Sequence, residues 1–193
     1  GPLHGIPIGL KDIIAYKGHP TTAHSAVLKD SVSAEDAFVT ARLREAGAVI
    51  LGKLATWEFA IGGPSHDLPW PPATNPWNTA HDPAGSSSGS AAAVAAGLAL
   101  GALGSDTGGS IRSPASLCGI AGHKPTYGLV SRRGVVPLSF SLDHIGPMCW
   151  TAEDCALMLQ AIAGHDARDI ASAQTVIKDP VAGLTGSLKG AKK

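Results

Sequence analysis

The sequence predicts an α/β protein, and three observations carry that prediction. Helix-like and strand-like segments alternate, tight glycines separate them, and 44% of the residues are hydrophobic against 16% charged, enough to fill a sizeable core. The length of 193 residues fits one domain or a large piece of one.

Residues 6–10 (IPIGL) read as a short buried strand that delivers Lys11 and Asp12 at its end. Ser33 with Asp36 resembles a helix start, Val39, Leu43 and Ala46 mark its apolar face, and Gly47 ends it. Residues 49–51 follow as a buried strand. Residues 62–89 hold six prolines among Gly, Ser, Asn and aromatic residues, so they form a long irregular loop of the kind that usually serves function. Ser90 caps a small-residue helix running to Leu100, and a strand follows over 103–105. Ser113-Pro114 opens a helix that Cys118-Gly119 closes, with a strand over 120–123 beyond it. Thr151 with Asp154 opens the last helix, which Gly164 closes. No internal repeat and no heptad register is present.

Composition excludes several function classes. Fifteen Lys+Arg balance fifteen Asp+Glu, a net charge of zero that argues against direct nucleic-acid binding. The longest apolar stretch, residues 91–104, falls short of the ~20 residues of a membrane span and reads as a buried helix running into a strand. Cys118, Cys149 and Cys155 are an odd number without C-x-x-C spacing, which suggests neither a disulfide framework nor a zinc site and points to a reducing, cytoplasmic compartment. Cys118 and Cys155 read as small core residues. The chain opens at Gly1 without a charged leader and stops at residues 190–193 (GAKK), so both ends are read as cut, with native N- and C-terminal regions missing.

Three strings bear on chemistry. Residues 47–53 (GAVILGK) match the front of a phosphate-binding loop, but the interior is apolar and Leu54 stands where a metal-binding hydroxyl is needed. A core strand ending in a surface lysine is the better reading. Residues 85–89 (GSSSG) satisfy the G-x-S-x-G nucleophile elbow with Ser87 at its centre, and Asp143 or Asp154 with His165 would complete a triad in the right order. The elbow needs a hydrophobic strand directly before it, whereas a polar loop precedes this one; a plain Gly/Ser linker also fits. The third string spans residues 104–115 (GSDTGGSIRSPA). Two glycines after a short strand let several N–H groups converge on one spot beside Ser110, as an acyl-transfer nucleophile with an oxyanion hole requires, or as a small-anion site would. Trp57, Phe59, Trp70 and Trp77 lie across the loop-rich region, as pocket walls or as caps on the sheet.

Together these segments resemble the amidase signature family of serine amidases and transamidases. The resemblance runs through residues 1–12 (GPLHGIPIGLKD), the Gly/Ser-rich stretch 85–97, residues 104–128 (GSDTGGSIRSPASLCGIAGHKPTYG) and residues 139–148 (SFSLDHIGPM). It implies a mixed β-sheet flanked by helices, here a truncated portion of that fold, with residues 1–193 as one catalytic domain. It also implies a Ser, cis-Ser, Lys triad. Carried over by position, Ser110 is the nucleophile, Ser86 the cis-serine joined to Gly85, and Lys11 the terminal base. The backbone N–H groups of Thr107, Gly108, Gly109 and Ser110 are expected to form the oxyanion hole, so side chains at Gly108 or Gly109 should harm the rate. Ser87 is expected to buttress the triad, and Asp106 with Arg112 to brace the loop as a structural ion pair.

Such a lysine serves as a base only when neutral, which burial favours. The mechanism uses no histidine, so His144 is read as structural. No metal and no organic cofactor is expected. The implied activity is hydrolysis of a carboxylic amide through an acyl-enzyme on Ser110. The same motifs also fit the A subunit of the tRNA-dependent amidotransferase, which takes ammonia from glutamine. A small-molecule amide is thus the expected substrate, and the partner is a second copy in a homodimer, or companion subunits for the amidotransferase. From another class, a non-catalytic paralogue acting as a binding module remains an alternative, opposed by the intact Lys11, Ser86 and Ser110.

Overall fold

The computed structural model describes residues 1–175, 177–184 and 186–187, so the chain's last residues, 190–193, lie outside the described part. Its centre is a mixed five-stranded sheet in the order β2-β1-β3-β5-β4. The strands are β1 (Pro7–Lys11), β2 (Val49–Leu54), β3 (Gly101–Asp106), β4 (Ala121–Gly122) and β5 (His144–Cys149). β1 runs parallel to β2 and β3, whereas β5 runs antiparallel to β3 and β4.

The helices are α1 (Phe38–Glu45), α2 (Ser88–Ala95), α3 (Arg112–Cys118) and α4 (Ala152–Ile162). They cover both faces of the sheet, through two separate apolar clusters. Val39 and Leu43 of α1 and Met158 and Ile162 of α4 join Ile8, Leu10 and Leu103. Ala91 and Ala95 of α2 and Ala115 and Cys118 of α3 join Met148. Ala102 pairs with Met148 and Leu103 with Pro147, so the pleat sends Leu103 and Met148 to opposite clusters. β3 is buried along its whole length, as a strand covered on both faces should be. Gly104 is required there: a Cβ would lie 2.8 Å from both Ser87 Oγ and Met148 Sδ.

The mixed sheet and its flanking helices match the expected architecture, and the differences lie at element ends. α4 starts as expected, with Thr151 Oγ1 accepting from the Asp154 N–H. α1 instead starts at Phe38 behind Ala37, while Ser33 pairs its backbone with Gly18 and His19 and Asp36 binds the Lys17 N–H and Arg44. α2 starts at Ser88 and ends at Ala95, short of Leu100, with Gly97 in the left-handed region; Ser90 donates to the Leu103 carbonyl. α3 starts at Arg112, and its first amides are met by Asp106 rather than Ser113. β5 arises where the pattern offered only a motif, because Gly146-Pro147 reads locally as a turn.

β2 is not the buried core strand expected. Val49 and Leu51 are half exposed at the sheet edge, and Lys53 is no free surface lysine, because its Nζ pairs with Asp12 at 2.8 Å. Among the described residues no helix is long and apolar enough to cross a membrane.

Candidate active site

β1 carries Lys11 at its end into the interior, where the side chain is wholly buried. Its Nζ donates to Ser86 Oγ at 2.6 Å and to Ser105 Oγ at 2.8 Å. Burial pulls the amine down from its ordinary value to about 7, while the Asp143 and Asp106 carboxylates pull in the opposite direction. Near neutral pH a large share of Lys11 is therefore an uncharged base held against two hydroxyls.

Ser86 follows a cis peptide bond from Gly85 and is fully buried. Gly85 packs against the Trp57 indole so closely that a Cβ would fall 2.4 Å from the ring. The backbone N–H of Trp57 donates to the Ser86 carbonyl. Next door, Ser87 Oγ accepts from the Ser105 N–H and donates to the Ser105 carbonyl, both at 3.1 Å. That pair fastens the start of α2 to β3. The Ser87 N–H in turn donates to the Ser110 carbonyl at 3.2 Å, tying the loop that carries Ser110 to the segment that carries Ser86.

That loop is organised around Asp106, whose side chain is fully buried. Its carboxylate accepts from the N–H groups of Gly109, Ile111 and Arg112 and from the Arg112 guanidinium, with both side-chain contacts at 3.0 Å. Burial pushes this carboxyl up, but Arg112 and the three amides outweigh it and hold it below the usual range. Thr107 Oγ1 donates to Asp143 at 2.5 Å, and Asp143 also accepts from the Leu138 and Ser139 amides. Ser110 is half-buried. The Gly109 N–H is turned inward to Asp106 at 2.8 Å, so among the four expected oxyanion donors it is already engaged.

The structure thus brings Lys11, Ser86 and the Ser110 loop together, with Ser87 and the Asp106–Arg112 pair beside them. It does not assemble the elbow triad: Ser87 is buried with its hydroxyl engaged on β3, Asp143 holds Thr107, Asp154 accepts from the Thr151 hydroxyl in the first turn of α4, and His165 is exposed. His144 lies on structural acceptors, the carbonyls of Asp106 and Leu142. Cys118, Cys149 and Cys155 are free and buried. Among the aromatics, Trp57 backs Gly85, Trp70 rings with His24, and Trp77 donates to the Cys118 carbonyl.

Two polar residues of the site were not legible as such. Ser105 is one of several small residues in a strand sequence, and only the register of β1 beside β3 brings it to Lys11. Asp143 lies in a loop far along the chain and reaches Thr107 because β5 pairs with β3, His144 opposite Asp106. A cleft of about 300 Å³ opens beside these two residues, walled by Tyr127, Val136 and Leu138.

Comparisons with known proteins show the family and the fold. The chain is 56% identical over 191 residues to the glutamyl-tRNA(Gln) amidotransferase A subunit of Exiguobacterium sibiricum, covering 99% of this chain and 40% of that relative. The crystal structure of the corresponding protein from Thermotoga maritima superposes with a TM-score of 0.86 at 46% identity, covering 90% of this chain and 39% of that one. The native peptide amidase of Stenotrophomonas maltophilia also gives 0.86, at 44% identity over 94% of this chain and 39% of that one. This chain therefore spans about two fifths of the length of the relatives it matches. The family model named Amidase matches residues 1–193, end to end. A buried lysine on a hydroxyl, a serine-bearing loop after a central strand and this continuous match place the chain in the amidase family.

Proposed function

We propose that this chain carries the catalytic centre of an enzyme that hydrolyses a linear carboxylic amide through an acyl-enzyme on Ser110. The observation that carries the reading is the fully buried Lys11 amine, lowered to about 7 and held 2.6 Å from Ser86 Oγ. In this mechanism Ser110 Oγ attacks the amide carbonyl and passes its proton to Ser86, which hands its own to Lys11. The Thr107, Gly108 and Ser110 amides receive the developing oxyanion. The C–N bond then breaks, and the amine or ammonia leaves with the proton returned through the same relay. Water cleaves the ester in the reverse sense and restores the Ser110 hydroxyl.

The cis-linked Ser86 is placed for this relay by Trp57, Ser87 and α2. The Asp106–Arg112 pair braces the loop and takes no part in the proton path. A small amide is the substrate, and a reducing, cytoplasmic setting suits three free thiols.

A second reading has a specific observation in its favour, the identity with the amidotransferase A subunit. On that reading glutamine is the amide, its ammonia goes to an acceptor, and companion subunits are required; as a plain hydrolase the protein would act alone or as a homodimer. Incubating the purified protein with a fluorophosphonate probe tests the shared chemistry: labelling should occur and disappear in Ser110→Ala. Absence of labelling in the unaltered protein would favour a binding role. Strict use of glutamine over aliphatic and aryl amides, with co-purifying subunits, would select the amidotransferase.

A further inference from the structure

Asp143 is a buried carboxylate whose charge stands apart from the other charges of the site. Its partners are one hydroxyl, Thr107, and two backbone amides, Leu138 and Ser139. Among the described residues no cation forms an ion pair with it. The remaining charged groups around Lys11 are matched: Asp106 on β3 with Arg112, and Asp12 after β1 with Lys53. Across the cleft Arg132 pairs with Asp169 and Arg133 with Asp166. His144, next in sequence, lies on the Asp106 and Leu142 carbonyls with Lys124 Nζ at 3.4 Å from its Nε2. Asp143 lines the same cleft as Ser105, the second hydroxyl that Lys11 holds.

We propose that Asp143 is a positioning residue for the reaction proposed above, clamping the Thr107 end of the Ser110 loop and placing an unmatched negative charge near the Lys11 amine. The two effects are complementary. The clamp keeps the Thr107 amide where an oxyanion donor is needed. The charge opposes desolvation, so the buried amine stays basic enough to take a proton instead of becoming an inert neutral group. The proposal rests on Lys11 acting as the base.

Asp143→Asn separates charge from framework. An asparagine can accept from the Leu138 and Ser139 amides through its oxygen and donate through its nitrogen to Thr107 Oγ1, so the loop keeps its contacts while the charge is lost. In the kcat/KM profile of the purified protein, the acid limb of Asp143→Asn should move down by about one pH unit and the plateau should fall. Thr107→Val keeps the charge and removes the clamp, so its limb should stay in place while kcat drops roughly tenfold. If Asp143→Asn does not fold, Asp143→Ser, which leaves room for water at the two amides, carries the same expectation. A limb that stays in place or moves upward in the charge-removing variant overturns the proposal. Failure of the base reading looks different: the unaltered protein would then show no limb that Lys11→Met abolishes.

Discussion

Lys11 on β1 and Ser105 on β3 are joined side chain to side chain at 2.8 Å, across two parallel strands whose register sets Leu10 against Leu103. The lysine is thus held by two hydroxyls, one on the Ser86 side and one on the sheet. With Ser105 gone, the amine keeps one partner and gains rotational freedom. Ser105→Ala should therefore fold normally, still react with a fluorophosphonate, and turn over roughly tenfold more slowly, the loss of one hydrogen bond that positions the amine. Steady-state kinetics on the purified variant checks this; an unchanged kcat would remove Ser105 from the site.

The depressed Lys11 value carries a pH dependence with a definite sign. The reactive form is the neutral amine, so activity is present above about pH 7 and falls as the amine protonates below it, approaching roughly tenfold per unit. Lys11→Met should lower kcat/KM by about 10²–10⁴ and erase that limb. A flat profile from about pH 5.5 to 8 in the unaltered protein would contradict a neutral-lysine base.

The two glycines before Ser110 should separate in their effects. Gly109 sits at φ +138 with Ser113 Oγ 2.9 Å from where a Cβ would go, whereas a Cβ on Gly108 meets nothing within 4 Å. Gly109→Ala is expected to lose about 1–3 kcal/mol of stability along with its rate. Gly108→Ala should melt within about 2 °C of the parent and lose rate alone, by crowding the oxyanion position. Thermal melts paired with kinetics distinguish the two.

Asp106 serves three backbone amides and one guanidinium from full burial. Asp106→Ala takes the side-chain acceptor away from those amides and should destabilise the protein by about 3 kcal/mol, a large share of a domain's stability. Urea denaturation measures this. A loss under about 1 kcal/mol would show that the loop is held by other contacts.

The α/β alternation, the apolar face of α1, the buried strand before Lys11 and the residues of the candidate triad were legible in the sequence, because periodicity and motif order are local properties. The Thr151 cap was legible for the same reason, being complete within one turn. Starts of α1, α2 and α3 were not, since in each case a residue from elsewhere, or a register set by the sheet, outweighed the local serine. β5 was hidden because proline and glycine punctuate a strand that only pairing with β3 stabilises. Residue types thus determined which groups could do chemistry here. Tertiary packing alone decided that Lys11 meets Ser105 as well as Ser86, and that Asp143 reaches Thr107. Those contacts join segments distant along the chain, and hydrogen bonds form wherever folding brings donors and acceptors within about 3 Å, whatever their separation in sequence.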